Sequence, residues 1–321
     1  MTIEIRHRQV ATNGIALHVA EAGEGPLVLL CHGFPESWYS WRHQIVPIAE
    51  AGYHVIAPDL RGYGDSTLLP NVEDYGIEEL NHDLLGLVDD AGEEQAVFVG
   101  HDWGALIVWD LARLHPGRVR GVVGVSVPLM NYPAQPVPLM QAVFGEEFYI
   151  VYFQKVGPAE TEMAKDVRGT MARTLWGASG DYARVLESAA SEGGVGRGGF
   201  LASMPEMPDE LPAWLTEADV DVYTEQFEKS GFFGPVSFYR NLDANWELTH
   251  VIPVETISMP SGFIGGDHDG VVRGTQGQID AMPSLLPDYR GTWILHGPGH
   301  WTQQEDPAGF NAALLEFLRG L

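Results

Sequence analysis

Residues 99–105 read VGHDWGA, and this stretch decides the fold of the chain. The residues before it are apolar and predict a buried strand, and those after it have the spacing of a helix. Gly100 and Gly104 stand two residues before and two residues after Asp102, in the pattern G-x-nucleophile-x-G. Small residues at these positions permit a sharp, strained turn that projects the central side chain over the edge of a sheet. We therefore expect Asp102 at the carboxyl end of a strand, beside the amides that begin the next helix.

The central residue of this turn indicates the chemistry. A carboxylate that attacks a saturated carbon forms an ester, which water can hydrolyse at the carbonyl carbon. A serine in the same place would form an ether, which water does not readily cleave. Asp102 therefore favours alkyl transfer followed by ester hydrolysis over the chemistry of a serine esterase. The alternative is an aspartate that only caps the following helix, a position that aspartate favours.

Strand and helix signals alternate along most of the chain. Strands are predicted at Ile15–Glu21, Pro26–Cys31, Tyr53–Pro58, Ala96–Val99, Val119–Val127, Gly262–Gly265 and Thr292–His296. Helices are predicted at Ser37–Glu50, Ile77–Ala91, Ala105–Leu114, Gly274–Ala281 and Pro307–Arg319. This alternation predicts an α/β fold with a mainly parallel sheet that helices cover on both faces. Residues 129–247, after the strand predicted at Val119–Val127, are rich in Pro, Met and aromatic residues and have no convincing buried strand. We therefore predict a core of residues 1–128 and 248–321 with a helical insertion at 129–247.

The composition limits the functional classes. The 321 residues carry 18 Lys and Arg against 44 Asp and Glu, and the resulting net charge of −26 disfavours nucleic acid and anionic membranes as partners. Cys31 is the single cysteine, so an internal disulfide and a cysteine zinc site are excluded, and its buried strand favours a core residue over a nucleophile. The N-terminus does not resemble a signal peptide and no stretch predicts a transmembrane helix, so we expect a cytoplasmic protein. Residues 194–199 fit G-x-G-x-x-G, but without a strand before them we interpret them as a loop.

A base and an orienting acid are expected in later loops of the core. His300 lies between the last strand and the last helix, at the sheet edge where Asp102 is expected. His296 is the nearest alternative, but its place at a strand end favours a packing or capping role. Asp267 and Asp269 both lie in the loop after the preceding strand, and their spacing does not choose between them. A metal site in that loop is disfavoured, because no distant ligand accompanies it.

Residues 32–35, HGFP, directly follow a predicted buried strand. A glycine-containing loop at the carboxyl end of a strand can place a backbone N–H beside the reacting centre. We assign the N–H groups of Phe34 and Trp103 to an oxyanion hole for the tetrahedral intermediate of ester hydrolysis. A simple turn would explain the loop equally well by itself, but its position upstream of Asp102 favours the functional interpretation.

Four motifs follow one another along the chain: HGFPESWYSWRHQ at 32–44, RGYGDS at 61–66, GHDWGA at 100–105 and GHWTQQE at 299–305. Their order resembles that of the epoxide hydrolases of the α/β-hydrolase superfamily, and the resemblance covers nearly the whole chain. It implies the α/β-hydrolase fold, with a mostly parallel, twisted sheet flanked by helices. It also implies that the insertion forms a helical cap, or lid, over the active site.

The resemblance further implies several site residues. Two cap tyrosines hold and protonate the epoxide oxygen in this family, and the matching positions are Tyr149, in FYIVYFQ, and Tyr239, in FYRN. Tyr152, one helical turn beyond Tyr149, is the alternative. The family's acid aligns with Asp269, which precedes a short apolar pair. Two phenols make physical sense, because an opened epoxide leaves an alkoxide far more basic than a phenol with a pKa of about 10.

The expected reaction converts an epoxide to a vicinal diol without a cofactor or metal. Asp102 forms a hydroxyalkyl ester, which is hydrolysed by water that His300 and Asp269 activate. The residues expected against the substrate are Phe34, Trp103, Tyr149 and Tyr239. The aromatic and Met-rich insertion indicates an apolar substrate, and the chain is expected to be a monomer or a homodimer.

Two other functions use the same scaffold. A haloalkane or haloacid dehalogenase would use the same Asp-His-Asp triad, but haloalkane dehalogenases usually place Asn where this chain has Phe34, and the paired tyrosines favour an epoxide. A non-catalytic ligand-binding homologue would generally lack a triad member, whereas Asp102, His300 and Asp269 are all present.

Overall fold

The chain forms a single eight-stranded sheet in the computed structural model, which describes residues 3–188, 199–208 and 210–321. The strands are β1 (Arg6–Thr12), β2 (Ile15–Ala22), β3 (Leu27–Cys31), β4 (His54–Pro58), β5 (Ala96–His101), β6 (Val119–Val125), β7 (Ser261–Gly266) and β8 (Tyr289–Leu295). Their order across the sheet is β1-β2-β4-β3-β5-β6-β7-β8. The pairs β1–β2 and β2–β4 are antiparallel, and the five pairs from β4 to β8 are parallel.

Helices cover the sheet and fill the long connection between β6 and β7. Those of the core are α1 (Ile45–Glu50), α2 (Ile77–Asp90), α3 (Trp103–Leu114), α12 (Gly270–Gly274), α13 (Gln276–Leu285), α14 (Thr302–Glu305) and α15 (Pro307–Arg319). Those of the connection are α4 (Pro136–Phe144), α5 (Tyr149–Tyr152), α6 (Pro158–Met163), α7 (Val167–Gly177), α8 (Gly180–Ser188), α9 (Glu217–Ser230), α10 (Phe233–Arg240) and α11 (Leu242–Thr249). Short 3₁₀ turns lie at Trp38–Trp41, Val72–Tyr75, Pro116–Arg118, Leu201–Ser203 and Val254–Thr256.

The alternation of side chains along the strands builds two hydrophobic clusters. Val28 and Val97 face the cluster that α1 and α15 cover, whereas Leu29 and Phe98 face the opposite cluster, to which α2 and α3 contribute. The latter cluster continues without interruption into the helices between β6 and β7, for example through Phe238 of α10. One continuous apolar core therefore joins the sheet to the inserted helices.

The parallel strands bring the functional loops to one edge of the sheet. The strands β3, β5, β7 and β8 all end at this edge, and ligands of open α/β sheets bind outside the carboxyl ends of such strands. The residues in the loops and turns that follow these four strands are, respectively, Phe34, Asp102, Asp269 and His300. The predicted α/β class with a mainly parallel sheet is confirmed.

One predicted helix differs from the structure, and one strand of the structure was not predicted. The helix expected over Ser37–Glu50 is wrong: a 3₁₀ turn is followed by the short α1, because Pro47 lacks an N–H and fits only the first turn of a helix. The strand β1 escaped prediction because its first residues, Arg6, His7 and Arg8, are polar. It is the edge strand of the sheet, where charged residues are common because they discourage further strand pairing.

Part of the glycine-rich stretch predicted as a loop, residues 194–198, lies outside the described residues, so that interpretation stays a prediction. Among the helices that the structure describes, none has the length and apolar character needed to cross a bilayer.

Candidate active site

The turn at Asp102 is strained and closely packed. Asp102 has a φ of 52° and a ψ of −115° and stands directly before the first residue of α3. A positive φ is uncommon for a residue with a side chain and costs about 1–3 kcal/mol, so the surroundings must hold it in place. Glycine is required on both sides: a Cβ on Gly100 would overlap the carbonyl oxygen of Gly104, and a Cβ on Gly104 would overlap that of Cys31.

The carboxylate of Asp102 is held by two groups. The N–H of Phe34 donates to Oδ1 at 2.8 Å, and Nε2 of His300 lies 3.5 Å from Oδ2. Burial raises the pKa of Asp102. The hydrogen bond from His300, the positive charge of that imidazole and the Phe34 N–H outweigh burial and hold the pKa of Asp102 below its ordinary value. The carboxylate is therefore ionised at neutral pH, as a nucleophile requires.

His300 is oriented from its other ring nitrogen. Nδ1 lies 3.1 Å from Oδ2 of Asp269, whose second oxygen accepts the N–H of Val271 at 2.8 Å and so caps α12. Burial lowers the pKa of His300, but the carboxylates of Asp269 and Asp102 outweigh it and raise the pKa well above its ordinary value. The histidine thus lies between two carboxylates, with each ring nitrogen facing one of them.

The alternative acid, Asp267, faces away from this histidine. Its carboxylate accepts hydrogen bonds from the Gly297 N–H at 2.8 Å and contacts His296 at 2.9 Å and His268 at 2.6 Å. Burial raises the pKa of Asp267, but these partners outweigh it and lower the pKa to about 2. Of the two acids that the spacing leaves open, Asp269 is the one that contacts His300. His296, the alternative base, is largely exposed.

The two tyrosines meet above the carboxylate of Asp102. Tyr149 begins α5 and Tyr239 lies in α10, and their ring centroids are 5.9 Å apart at an interplanar angle of 76°. Burial and the negative charge of Asp102 raise the pKa of both phenols, so both keep their protons at neutral pH. The rings of Trp103 and Tyr239 pack edge to face, with centroids 5.0 Å apart at an interplanar angle of 81°. Burial and the negative charge of Glu162 raise the pKa of Tyr152, the alternative to Tyr149, to about 12.

A cavity of about 540 Å³ connects these groups. Asp102, His300, Asp269 and both tyrosines line it. Its remaining wall is mainly apolar and includes Phe34, Phe148, Phe200, Met204 and Trp301. The size suits a small organic molecule. The lining also includes a second charged group, in which Glu187 pairs with Arg273 and His268.

The two amides assigned to an oxyanion hole come from the loop after β3 and from the start of α3. The Phe34 N–H already contacts Oδ1, and a Cβ on Gly33 would collide with the Asp102 side chain, so the loop approaches as closely as glycine permits. Trp103 is the first residue of α3, where a backbone N–H has no partner within its own helix. The helix dipole adds a partial positive charge at the same end.

A buried glutamate was missed by the sequence reasoning. Glu36 is fully buried, and one of its oxygens accepts the Gly33 N–H at 3.0 Å and contacts Nδ1 of His101 at 2.6 Å. Its other oxygen accepts the side-chain amides of Gln303 at 3.1 Å and Gln304 at 3.0 Å. We call these five residues the Glu36 cluster. The available signal was an acid within the motif HGFPESW, but its side-chain partners, His101, Gln303 and Gln304, lie far away in the sequence.

Comparisons with known proteins find the same fold and a named enzyme family. A family described as alpha/beta hydrolase fold matches residues 26–307. The chain is 47% identical to Epoxide hydrolase A of Mycobacterium tuberculosis, over 98% of this chain and 97% of the relative. The chain belongs to the epoxide hydrolases of the α/β-hydrolase fold family.

Solved structures of other epoxide hydrolases are similar over the same length. Epoxide Hydrolase A from Mycobacterium thermoresistibile is 45% identical with a TM-score of 0.91, covering 99% of each chain. An epoxide hydrolase from an endophytic Streptomyces is 41% identical with a TM-score of 0.90, covering 98% of this chain and 96% of the other. The predicted membership of the epoxide hydrolases is therefore confirmed, as is the prediction of a hydrolytic enzyme.

Proposed function

We propose that this epoxide hydrolase opens its substrate through an ester on Asp102 and releases a vicinal diol. The observation that carries the proposal is the position of His300, whose two ring nitrogens face Asp102 and Asp269 below an apolar cavity that two tyrosines share. An ionised carboxylate, a paired imidazole and two protonated phenols are the groups that this reaction needs.

In the first step, a carboxylate oxygen of Asp102 attacks an epoxide carbon from the side opposite its oxygen. The C–O bond to the epoxide oxygen breaks and its electron pair stays on that oxygen. Tyr149 and Tyr239 hold the oxygen, and one of them gives it a proton as the bond breaks, which avoids a free alkoxide. The products of this step are a hydroxyalkyl ester on Asp102 and a tyrosinate that later recovers a proton.

In the second step, His300 takes a proton from water as that water attacks the carboxyl carbon of Asp102. Negative charge then develops on the former carbonyl oxygen, where the N–H groups of Phe34 and Trp103 stabilise it. Collapse of this intermediate breaks the bond to the alkyl oxygen, which leaves as the second hydroxyl of the diol and takes the proton from His300. The Asp102 carboxyl group that remains then gives its proton to the tyrosinate, which restores both residues. Asp269 keeps the imidazole oriented and stabilises its charged form.

The helical insertion at 129–247 is part of the proposal, as a cap that covers the reacting carboxylate. Its support is that both tyrosines come from it and that its apolar core continues into that of the sheet. The cavity wall of Phe148, Phe200 and Met204 favours an apolar epoxide. We also propose a cytoplasmic monomer or homodimer, which the acidic composition with one cysteine supports.

The His300→Gln variant tests the two-step reaction. Incubated with an apolar epoxide such as styrene oxide, the variant should gain the mass of one epoxide in an intact-protein mass spectrum, because the ester forms but is not hydrolysed. His296→Gln is the matched control and should turn over without a lasting adduct, and Asp102→Asn should gain no mass. A His300→Gln protein that never gains mass would contradict the proposal. Release of halide from haloalkanes without any diol from epoxides would instead favour the dehalogenase.

A further inference from the structure

The inserted helix α9 contacts the core through a buried ion pair. The carboxylate of Asp219, in the first turn of α9, accepts a hydrogen bond from the hydroxyl of Tyr39 at 3.0 Å and lies 3.1 Å from the Arg42 guanidinium. The side chains of Arg42 and Asp219 are both about nine-tenths buried. This pair fixes the start of α9 to the segment that follows the HGFP loop.

Gln304 extends the contact toward the catalytic loops. Its side-chain oxygen accepts Nη1 of Arg42 at 2.7 Å and the hydroxyl of Tyr223, which also belongs to α9, at 3.0 Å. Its side-chain nitrogen donates to the carboxylate of Glu36 at 3.0 Å. Two donors at the oxygen end therefore fix which way the amide of Gln304 points, because only its nitrogen can then face the carboxylate.

Glu36 completes a continuous hydrogen-bonded path to the reacting groups. Its second oxygen accepts the Gly33 N–H, next to the Phe34 amide that contacts Asp102, and binds His101. Nε2 of His101 in turn faces the backbone oxygen of His300 at 2.8 Å. Glu36, which Gln304 supports, therefore holds both the HGFP loop and, through His101, the loop that carries His300.

We infer that Gln304 is a positioning residue through which the seating of helix α9 on the core sets the Phe34 amide for ester hydrolysis. The inference rests on the proposed function. In the first step, negative charge leaves the Asp102 carboxylate, so the hydrogen bond from the Phe34 N–H does not become stronger in the transition state. In the second step, charge develops on the oxygen that this N–H faces, and a misplaced donor raises the barrier. Loss of the path should therefore slow hydrolysis of the ester more than its formation.

The neighbouring Gln303 provides a matched comparison. Its side-chain nitrogen donates to the same oxygen of Glu36 at 3.1 Å, and it is as fully buried as Gln304. Its own side-chain oxygen has no protein hydrogen-bond partner among the described residues. Gln303 thus supports Glu36 from within the core, whereas Gln304 also connects it to α9.

The experiment measures the two steps separately in single turnovers, by following ester formation and decay on the whole enzyme with intact-protein mass spectrometry. For Gln304→Met we expect ester decay about 10-fold slower and ester formation changed by less than about 3-fold. Tyr223→Phe keeps the bond between Gln304 and Glu36 and removes the direct link to α9, while the link through Arg42 and Asp219 remains. This variant should slow decay about 3-fold. Lys229→Met removes another pair between α9 and the core, with Asp65, and should change neither step.

Four outcomes decide the inference. Slower decay in both Gln304→Met and Tyr223→Phe, with normal ester formation, supports it. Equal effects of Gln303→Met and Gln304→Met together with a normal Tyr223→Phe would overturn it, because Glu36 would then need support but not a link to α9. Equal slowing of both steps in Gln304→Met and Tyr223→Phe would also overturn it. Failure of the wild-type enzyme to form any ester would contradict the proposed function itself, and this outcome is distinguishable from the other three. If Gln304→Met does not fold, the rates of ester formation and decay in Tyr223→Phe still test the inference.

Discussion

Nε2 of His300 lies 3.5 Å from Oδ2 of Asp102. This contact couples the charges of the nucleophile and of the base, because each group favours the ionised form of the other. Ester formation removes the charge of Asp102, so the pKa of His300 falls at the moment when a neutral imidazole is needed. The nucleophile thereby controls when its neighbour becomes a base.

A consequence is a different pH dependence of the two steps. In the ester intermediate, Asp269 alone still raises the pKa of His300, so the rate of ester hydrolysis should rise with pH until the imidazole is neutral, then level off. Ester formation should not change with pH over the interval measured, because Asp102 is protonated only in stronger acid, below its lowered pKa. Single-turnover rates measured from about pH 5 to about pH 10 check this. A hydrolysis rate that falls as pH rises would contradict it.

The choice of acid can be tested with a pair of variants. Asp269→Asn should slow ester hydrolysis by about 10³-fold or more, because the imidazole loses both its orientation and the charge that stabilises its protonated form. Asp267→Asn should change it by less than about 5-fold, since that carboxylate faces His296 and Gly297. Diol formation by the two purified variants gives the comparison. Similar losses in both would refute the assignment to Asp269.

The tyrosines should act on ester formation. Tyr149→Phe and Tyr239→Phe should each slow it by about 10²-fold, and the double variant should form no measurable ester, because no O–H remains for the epoxide oxygen. Tyr152→Phe is the control, since the charge that acts on Tyr152 is that of Glu162, whereas the charge of Asp102 acts on Tyr149. Stopped-flow quenching of Trp fluorescence by the substrate gives the rates. The assignment of Tyr149 fails if Tyr152→Phe proves the slower of the two.

The Glu36 cluster should also stabilise the fold. Glu36→Leu leaves His101 and the Gly33 N–H buried without their partner, so the free energy of unfolding should fall by about 3 kcal/mol. Glu217→Gln, which breaks an exposed pair with Arg168, should change it by less than about 1 kcal/mol. Denaturant titrations followed by circular dichroism measure both. Equal midpoints for the two variants would show that the cluster does not stabilise the protein.

The sequence predicted those parts of the site whose residues belong to short local sequence patterns. The two glycines around Asp102 indicate the turn, and a histidine between the last strand and helix reaches the same sheet edge because parallel strands end there. Asp269 and Asp267 are two residues apart, and their different partners depend on how one loop turns, which spacing does not record. Gln304 is 268 residues away from Glu36 along the chain, so no local pattern connects the two.

The central claim is the ester on Asp102, and a single turnover in heavy-oxygen water tests it most directly. Enzyme in excess over epoxide should convert all of it once, after which the protein is digested and the peptide that contains Asp102 is weighed. The account predicts heavy oxygen in the Asp102 carboxylate and none in the diol, because water attacks the carboxyl carbon and the substrate keeps the original carboxylate oxygen. Heavy oxygen in the diol, with an unlabelled Asp102, would contradict it.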